Sequence, residues 1–355
     1  MRKFIFQVHL YIGLVAGLFL VLMGITGSIM AFEPEIDHLL HHRLSYVDPG
    51  DKTLSLAEIG RIVKTAFPAD TIAGYRIETS PDLSWQVGLE DKVVFVNQYS
   101  GVILGSLVRP DHWDDWLGFI HSLHLRLALR MAGNPGKKIV TWAVVGLLIL
   151  QLTGLFLWWR QRRITMQWKR PSGWAWFDIH TTVGIVAYLF LLVLTITGLV
   201  MGFEEQTRPF FYRITGSQPG NGPDLSVPLS TGAAILPADS AVAIAKRALP
   251  GALPFNIPLP GPGEMYEVRC RFPEDRTPGG RSMVFIDPYS GKVLDAESSR
   301  TAPAGTRIIN LNRAIHTGDL FGIPSKIVMS LASLALVLLF VSGVGMWWKR
   351  GSAGS

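Results

Sequence analysis

Four stretches of this chain, about residues 8 to 32, 138 to 159, 180 to 203 and 327 to 348, are long apolar runs with no ionised side chain in their interior. Crossing a bilayer core takes about 20 apolar residues of helix, because backbone polar groups find no water there. Each run meets that length, so the chain is read as a four-span membrane protein. Composition agrees, with 48% of 355 residues hydrophobic and 17% charged. The first run is longer than a signal-peptide core and no small-x-small cleavage site follows it, so it is expected to stay as an anchor.

The formal charge of +6 reads as topology rather than as a nucleic-acid surface, because the basic residues flank the apolar runs. Short cytoplasmic loops are enriched in Lys and Arg. The connection between the second and third runs carries Arg160, Arg162, Arg163, Lys169 and Arg170, while Arg2, Lys3, Lys349 and Arg350 mark the ends. Both termini are therefore expected in the cytoplasm, with two long loops, about 33 to 137 and 204 to 326, outside. Trp158, Trp159, Trp347 and Trp348, with Trp174 and Trp176, fit an aromatic belt at the cytoplasmic interface.

Residues 4 to 33 align without a gap to 175 to 204, and 14 of the 30 positions are identical. The shared positions include Phe6/Phe177, His9/His180, Gly13/Gly184, Ile25-Thr26-Gly27/Ile196-Thr197-Gly198 and Phe32-Glu33/Phe203-Glu204. The outer loops repeat too: Val94 to Gly101 matches Val284 to Gly291, each ending in Tyr-Ser-Gly. The second and fourth runs close alike, Gly154 and Trp158-Trp159-Arg160 against Gly343 and Trp347-Trp348-Lys349. Each half is thus helix, outer segment, helix. Halves that enter the membrane in the same sense are expected to be related by an axis along its normal, which sets equivalent residues facing each other.

The fold expected is an all-α four-helix transmembrane bundle built from a duplicated two-span unit, with two small outer α+β domains. The first outer domain covers 34–110, opened by a Ser55-Leu56-Ala57-Glu58 capping box and followed by alternating strand-like runs around 85 to 97. The second covers 205–310, wrapped in Pro- and Gly-rich linkers at 216 to 236 and 250 to 263. An interfacial helix is expected within 111–137, a cytoplasmic loop at 161–176, and an interfacial segment with the last span at 311–350.

A single cysteine, Cys270, can form neither an internal disulfide nor a four-cysteine metal site, so metal chemistry falls to the nine histidines. An ionisable residue inside a span is a functional candidate because an unpaired polar group in hydrocarbon is costly. His9 and His180 alone would read as packed or interfacial residues. Duplicated about an axis, they put two imidazoles on opposite sides of one space, which suits bis-histidine ligation of haem iron. Gly13 and Gly184, four residues on, share the histidine face and leave room for a flat macrocycle; Gly27 and Gly198 return to that face five turns later. Glycines also simply let helices approach closely. A second pair stands before spans two and four: His316, six residues before Gly322, with His124 or His121 as its counterpart before Gly133. His124 needs the smaller gap and is preferred. His38, His41 and His42 lack copies in the second half and read as a solvated helix face, with a metal or membrane-edge role left open. No Gly-x-Gly-x-x-Gly or Walker motif points to nicotinamide or ATP.

Spans that begin Phe-x-x-His-x-x-x-Gly and end Ile-Thr-Gly-x-x-Met-x-Phe-Glu, with outer units carrying Tyr-Ser-Gly-x-x-Leu, resemble the PepSY-associated transmembrane family over nearly the whole chain. Within that family, the chain is similar to the inner-membrane ferric siderophore reductases of Gram-negative bacteria. The resemblance implies two periplasmic PepSY-like domains and two b-type haems, held by His9 with His180 and by His124 with His316, His121 being the doubtful neighbour of His124. It implies electron transfer to a ferric siderophore from a membrane quinol or a cytoplasmic flavoprotein. A haem-free transporter or permease subunit, and a regulatory membrane module, are the alternatives.

Overall fold

The computed structural model describes residues 1–108, 116–129, 131–159, 172–220, 222–223 and 234–352. The basic connection at 160 to 170 and most of the linker at 216 to 236 lie outside the described residues. In chain order the elements are α1 (Arg2–Met30), α2 (Glu33–Leu40), α3 (His42–Ser45), α4 (Leu56–Ala66), β1 (Gly74–Arg76), β2 (Trp85–Gly88), β3 (Lys92–Val96) and β4 (Ile103–Val108). There follow α5 (Trp116–Arg126), α6 (Pro135–Trp159), α7 (Ser172–Gly202), α8 (Glu204–Thr215), α9 (Ala238–Ala248) and β5 (Leu253–Pro258). The chain continues through β6 (Tyr266–Arg271), β7 (Ser282–Ile286), β8 (Val293–Glu297), α10 (Ala304–Thr317), a 3-10 turn (Asp319–Phe321) and α11 (Ile323–Ser352). These elements form two compact units.

The helical unit comprises Met1–Glu33, Trp116–Phe210 and the chain from Leu311 onward. Four of its helices are long and apolar enough to cross a bilayer: Arg2–Met30, Pro135–Trp159, Ala175–Gly202 and Ile323–Lys349. The shortest, 25 residues, is about 37 Å long against a hydrocarbon core of about 30 Å. The protein is a multi-pass membrane protein. The helices pack in the ring order α1, α6, α7, α11, which sets the duplicated α1 and α7 diagonally opposite. Leu20, Ala143, Leu147, Ala187, Leu191, Ala335 and Leu336 fill the interior, whereas Val15, Val186, Leu189 and Leu338 point outward. Lipid is as apolar as leucine, so close fit rather than burial holds such helices together. The α1–α11 seam shows it. A Cβ on Gly24 would fall 2.6 Å from the Ser333 carbonyl oxygen. Ser28 Oγ, which back-bonds to the Gly24 carbonyl at 2.8 Å, also lies 3.1 Å from the Ser330 carbonyl, and Ser333 Oγ donates to the Gly24 carbonyl at 3.2 Å.

The second unit, Pro34–Asp115 with Phe211–Asn310, holds one antiparallel sheet in the order β4-β3-β2-β1-β5-β6-β7-β8. Here the structure departs from the expected pair of outer domains. Each half supplies a four-stranded meander, and the two are joined through β1 and β5, with Tyr75 opposite Ile257. Strand β6 alternates as a half-buried strand should, Tyr266, Val268 and Cys270 inward and Glu267 and Arg269 outward. The sheet's buried face meets α4 through Ile59 and Val63 and α9 through Ala241 and Ala245, in one continuous core. The Ser55 capping box forms as read, Glu58 N–H donating to Ser55 Oγ at 3.2 Å and Ser55 N–H to Glu58 Oε2 at 2.8 Å. The next two amides of α4 are satisfied from the other half, by the Asp239 carboxylate at 2.9 Å. Two small domains were expected because strand alternation reveals strands but not their partners.

Gly24→Ala is expected to destabilise the helical unit by about 1–3 kcal/mol through overpacking, read as a lower thermal midpoint in detergent; an unchanged midpoint would mean that α1 and α11 are not so closely apposed. Burial pushes the Cys270 thiol up to about 12, so at pH 8 the native protein should resist alkylation that goes to completion once it is unfolded. Mass spectrometry reads both states.

Candidate functional site

The described geometry of the helical unit repeats one contact four times. On α1, His9 reaches across to α6, its Nδ1 2.8 Å from Thr153 Oγ1. On α7, His180 does the same to α11, its Nδ1 3.1 Å from Ser342 Oγ and 3.0 Å from the Leu339 carbonyl. On α5, His124 Nδ1 lies 2.9 Å from Thr26 Oγ1 of α1. On α10, His316 Nδ1 lies 2.8 Å from Thr197 Oγ1 of α7. Beside each hydroxyl stands a glycine against which the ring rests. A Cβ built there would meet imidazole Cε1 at 3.2 Å for Gly154 and His9, 3.7 Å for Gly343 and His180, 3.0 Å for Gly27 and His124, and 3.3 Å for Gly198 and His316.

The hydroxyls decide the tautomer. Each has one hydrogen to donate, and each donates it to the carbonyl four residues earlier: Thr153 to Ile149 at 2.7 Å, Ser342 to Leu338 at 2.6 Å, Thr26 to Leu22 at 2.7 Å and Thr197 to Val193 at 2.7 Å. The oxygen is left as an acceptor, so the imidazole must be the donor. The network therefore assigns hydrogen to Nδ1 in all four histidines and leaves the lone pair on Nε2. An imidazole in that state is the form that ligates a metal, and a hydrogen bond from its far nitrogen is the usual support of a metal-bound histidine. The helices α5 and α10 lie outside the candidate spans. There burial, helped by the charge of His316 and then of His121, holds His124 at about 4. His316 is also held at about 4, by burial and then by Arg313. Both rings are neutral at physiological pH.

The structure brings His9 and His180 together with ring centroids 6.1 Å apart and planes at 83°. Metal–imidazole bonds of about 2.0 Å on either side of one ion, with roughly 1.1 Å from each nitrogen to its ring centre, give about 6.2 Å. The pair thus fits two axial ligands of one iron, and the donor set, two neutral imidazoles, suits haem. His124 and His316 stand toward the other end of the bundle, on Thr26 and Thr197. Thr26 is 17 residues beyond His9 on α1, about 25 Å along the helix. His121 does not share this setting: its Nδ1 is 3.5 Å from Glu33 Oε2 and its side chain is 40% exposed. Gly13 and Gly184 face Leu150 and Leu339 at ordinary contact distance, 3.7 and 3.5 Å from a built Cβ.

The model of the PepSY-associated TM region matches residues 6–350 of the chain. The chain belongs to that family. No curated protein matches it. Among the described residues of this PepSY-associated chain, three further histidines make local contacts: His41 Nδ1 is 2.9 Å from Asp37 Oδ1, and His42 and His38 lie against Tyr46 with ring centroids at 4.6 and 6.0 Å. Among the described residues, no three His, Cys, Asp or Glu side chains gather as metal ligands do.

Sequence reasoning missed the hydroxyls, and it missed Gly154 and Gly343 as parts of the site. Their signal was present. Each apolar run carries one hydroxyl followed by glycine where a histidine docks: Thr26-Gly27, Thr153-Gly154, Thr197-Gly198 and Ser342-Gly343. We expect nitrogen-15 spectra of the haem-free protein to show His9, His124, His180 and His316 protonated at Nδ1 and bare at Nε2. A proton on Nε2 of any of them would contradict the hydrogen-bond assignment at that site.

Proposed function

We propose that this protein is a haem-containing oxidoreductase of the bacterial inner membrane, passing electrons outward to a periplasmic ferric siderophore and releasing iron as Fe(II) for uptake. The observation that carries the reading is the apposition of His9 and His180, one from each half, with ring centroids 6.1 Å apart; the hydrogen bonds at Nδ1 leave Nε2 of each ring to a metal. His9 and His180 would hold one b-type haem toward the cytoplasm, and His124 with His316 a second toward the periplasm. When bound, a bis-histidine haem supplies one-electron Fe(III)/Fe(II) chemistry with no open position for oxygen.

The chain's own part is to bind, orient and insulate. The four histidines would hold the two haems, His9 with His180 and His124 with His316. The Ser and Thr hydroxyls hold the rings in one tautomer, and the apolar bundle keeps water from the path. Two stops about 25 Å apart along α1 divide a membrane crossing that one stop would leave too long. High-affinity siderophores prefer the harder Fe(III), so adding one electron per iron weakens the complex and lets the ion leave. A membrane quinol or a cytoplasmic flavoprotein would supply the electrons.

Protein purified from haem-replete cells should carry a Soret band and two haems. His124→Ala or His316→Ala should lower the content to about one haem, whereas His121→Ala should leave two. Mixing the dithionite-reduced protein anaerobically with a ferric siderophore should reoxidise the haems. A colourless, well-folded preparation would point instead to a transporter subunit or a regulatory module, and red protein that ferric siderophores fail to oxidise would leave a haem protein with another acceptor.

A further inference from the structure

The four hydroxyl–glycine dipeptides do more than fill the seams between helices. Small residues alone would let helices approach, but packing does not require that the residue before the glycine carry a hydroxyl, nor that a histidine dock on it. Here both hold at all four places. The outer seats on α1 and α7 lie within the strongly duplicated stretch and descend together. The inner seats on α6 and α11, Leu152-Thr153-Gly154 and Val341-Ser342-Gly343, lie in runs that resemble the outer ones little. The same arrangement therefore occurs twice independently, each time copied into the other half.

Each part has a separate physical task. The back-bond from hydroxyl to carbonyl removes the donor and makes the oxygen an acceptor, which favours the proton on Nδ1; at His180 the Leu339 carbonyl, 3.0 Å from Nδ1, accepts beside Ser342. The glycine lets the ring edge come within 3.0 to 3.3 Å of a built Cβ at three of the four seats, so that a methyl group would push the ring away from the hydroxyl. Losing either part frees the imidazole to rotate or to change tautomer. A histidine that donates from Nδ1 is also a more basic ligand at Nε2, and a more basic ligand favours the ferric state.

We infer that Thr26-Gly27, Thr153-Gly154, Thr197-Gly198 and Ser342-Gly343 are positioning residues that set the tautomer and orientation of the four axial histidines and lower the reduction potentials of the haems they hold. The inference rests on the haem reading above.

The test uses the full-length protein in detergent, with haem content, redox titration of the haem absorption and the electron paramagnetic resonance of the ferric state as readouts. Thr197→Val keeps the shape of the side chain and removes the acceptor. It should weaken retention of the outer haem by about 10- to 100-fold, raise that haem's midpoint potential and change its resonance, with the inner haem unaffected. Thr153→Val should do the same to the inner haem alone. Thr197→Ser should restore wild-type values, and Gly198→Ala should reproduce the valine phenotype with the hydroxyl still present. If a valine variant fails to fold, the serine and alanine variants still decide: equal potentials and spectra in wild type and Gly198→Ala would overturn the proposal. Wild-type protein with two haems and valine variants indistinguishable from it would sink the positioning role alone. A wild-type protein without haem would sink the haem reading as well.

Discussion

An imidazole N–H placed among apolar helices must find an acceptor, and in this protein each of the four finds a hydroxyl whose own hydrogen is already given to its helix, joined at His180 by the Leu339 carbonyl. That single interaction organises the membrane unit. It is short, between 2.8 and 3.1 Å in all four cases, and it ties each histidine to a neighbouring helix rather than to its own. An unsatisfied polar group in such surroundings carries a large desolvation penalty. The hydrogen bond removes that penalty at Nδ1 and leaves Nε2 as the one nitrogen with chemistry to offer.

The ring order of the four helices turns the duplication into a pair of sites. Diagonal placement of α1 and α7 brings His9 and His180 toward one another, while α5 and α10 carry His124 and His316 to the far ends of the same two helices. Close approach along the seams supports this. Gly17 abuts Phe340, Gly24 abuts the Ser333 carbonyl and Gly146 abuts Ala16, so the histidine positions depend on glycines well away from them. In lipid, where burial of apolar surface drives little, such contacts are what hold a helix at one height and rotation.

The sheet unit follows a different logic. A four-stranded meander with one helix would leave β1 or β5 as an open edge, with unpaired amides and carbonyls. Joining the halves at Tyr75 and Ile257 removes both inner edges and lets α4 and α9 share one apolar core. The carboxylate of Asp239 then satisfies amides at the start of α4, a dependence of one half on the other that no local pattern announces.

Local physical rules written along the chain were enough for the four spans, the duplication, the capping box at Ser55 and the alternating strands. Apolar run length, helical periodicity and turn chemistry act over a few residues and are legible in one dimension. The same rules singled out His9, His180, His124 and His316, and preferred His124 to His121, three residues away on one helix, only by a smaller gap; the contact that sets the two apart, Thr26 against His124 and Glu33 against His121, is not written along the chain. Those contacts, like the seating of each ring on a glycine and on a hydroxyl up to 162 residues away and the fusion of two meanders into one sheet, belong to the tertiary structure. Partners distant in sequence are selected by shape, hydrogen-bond direction and edge pairing, and those exist only once the helices and strands have been brought together.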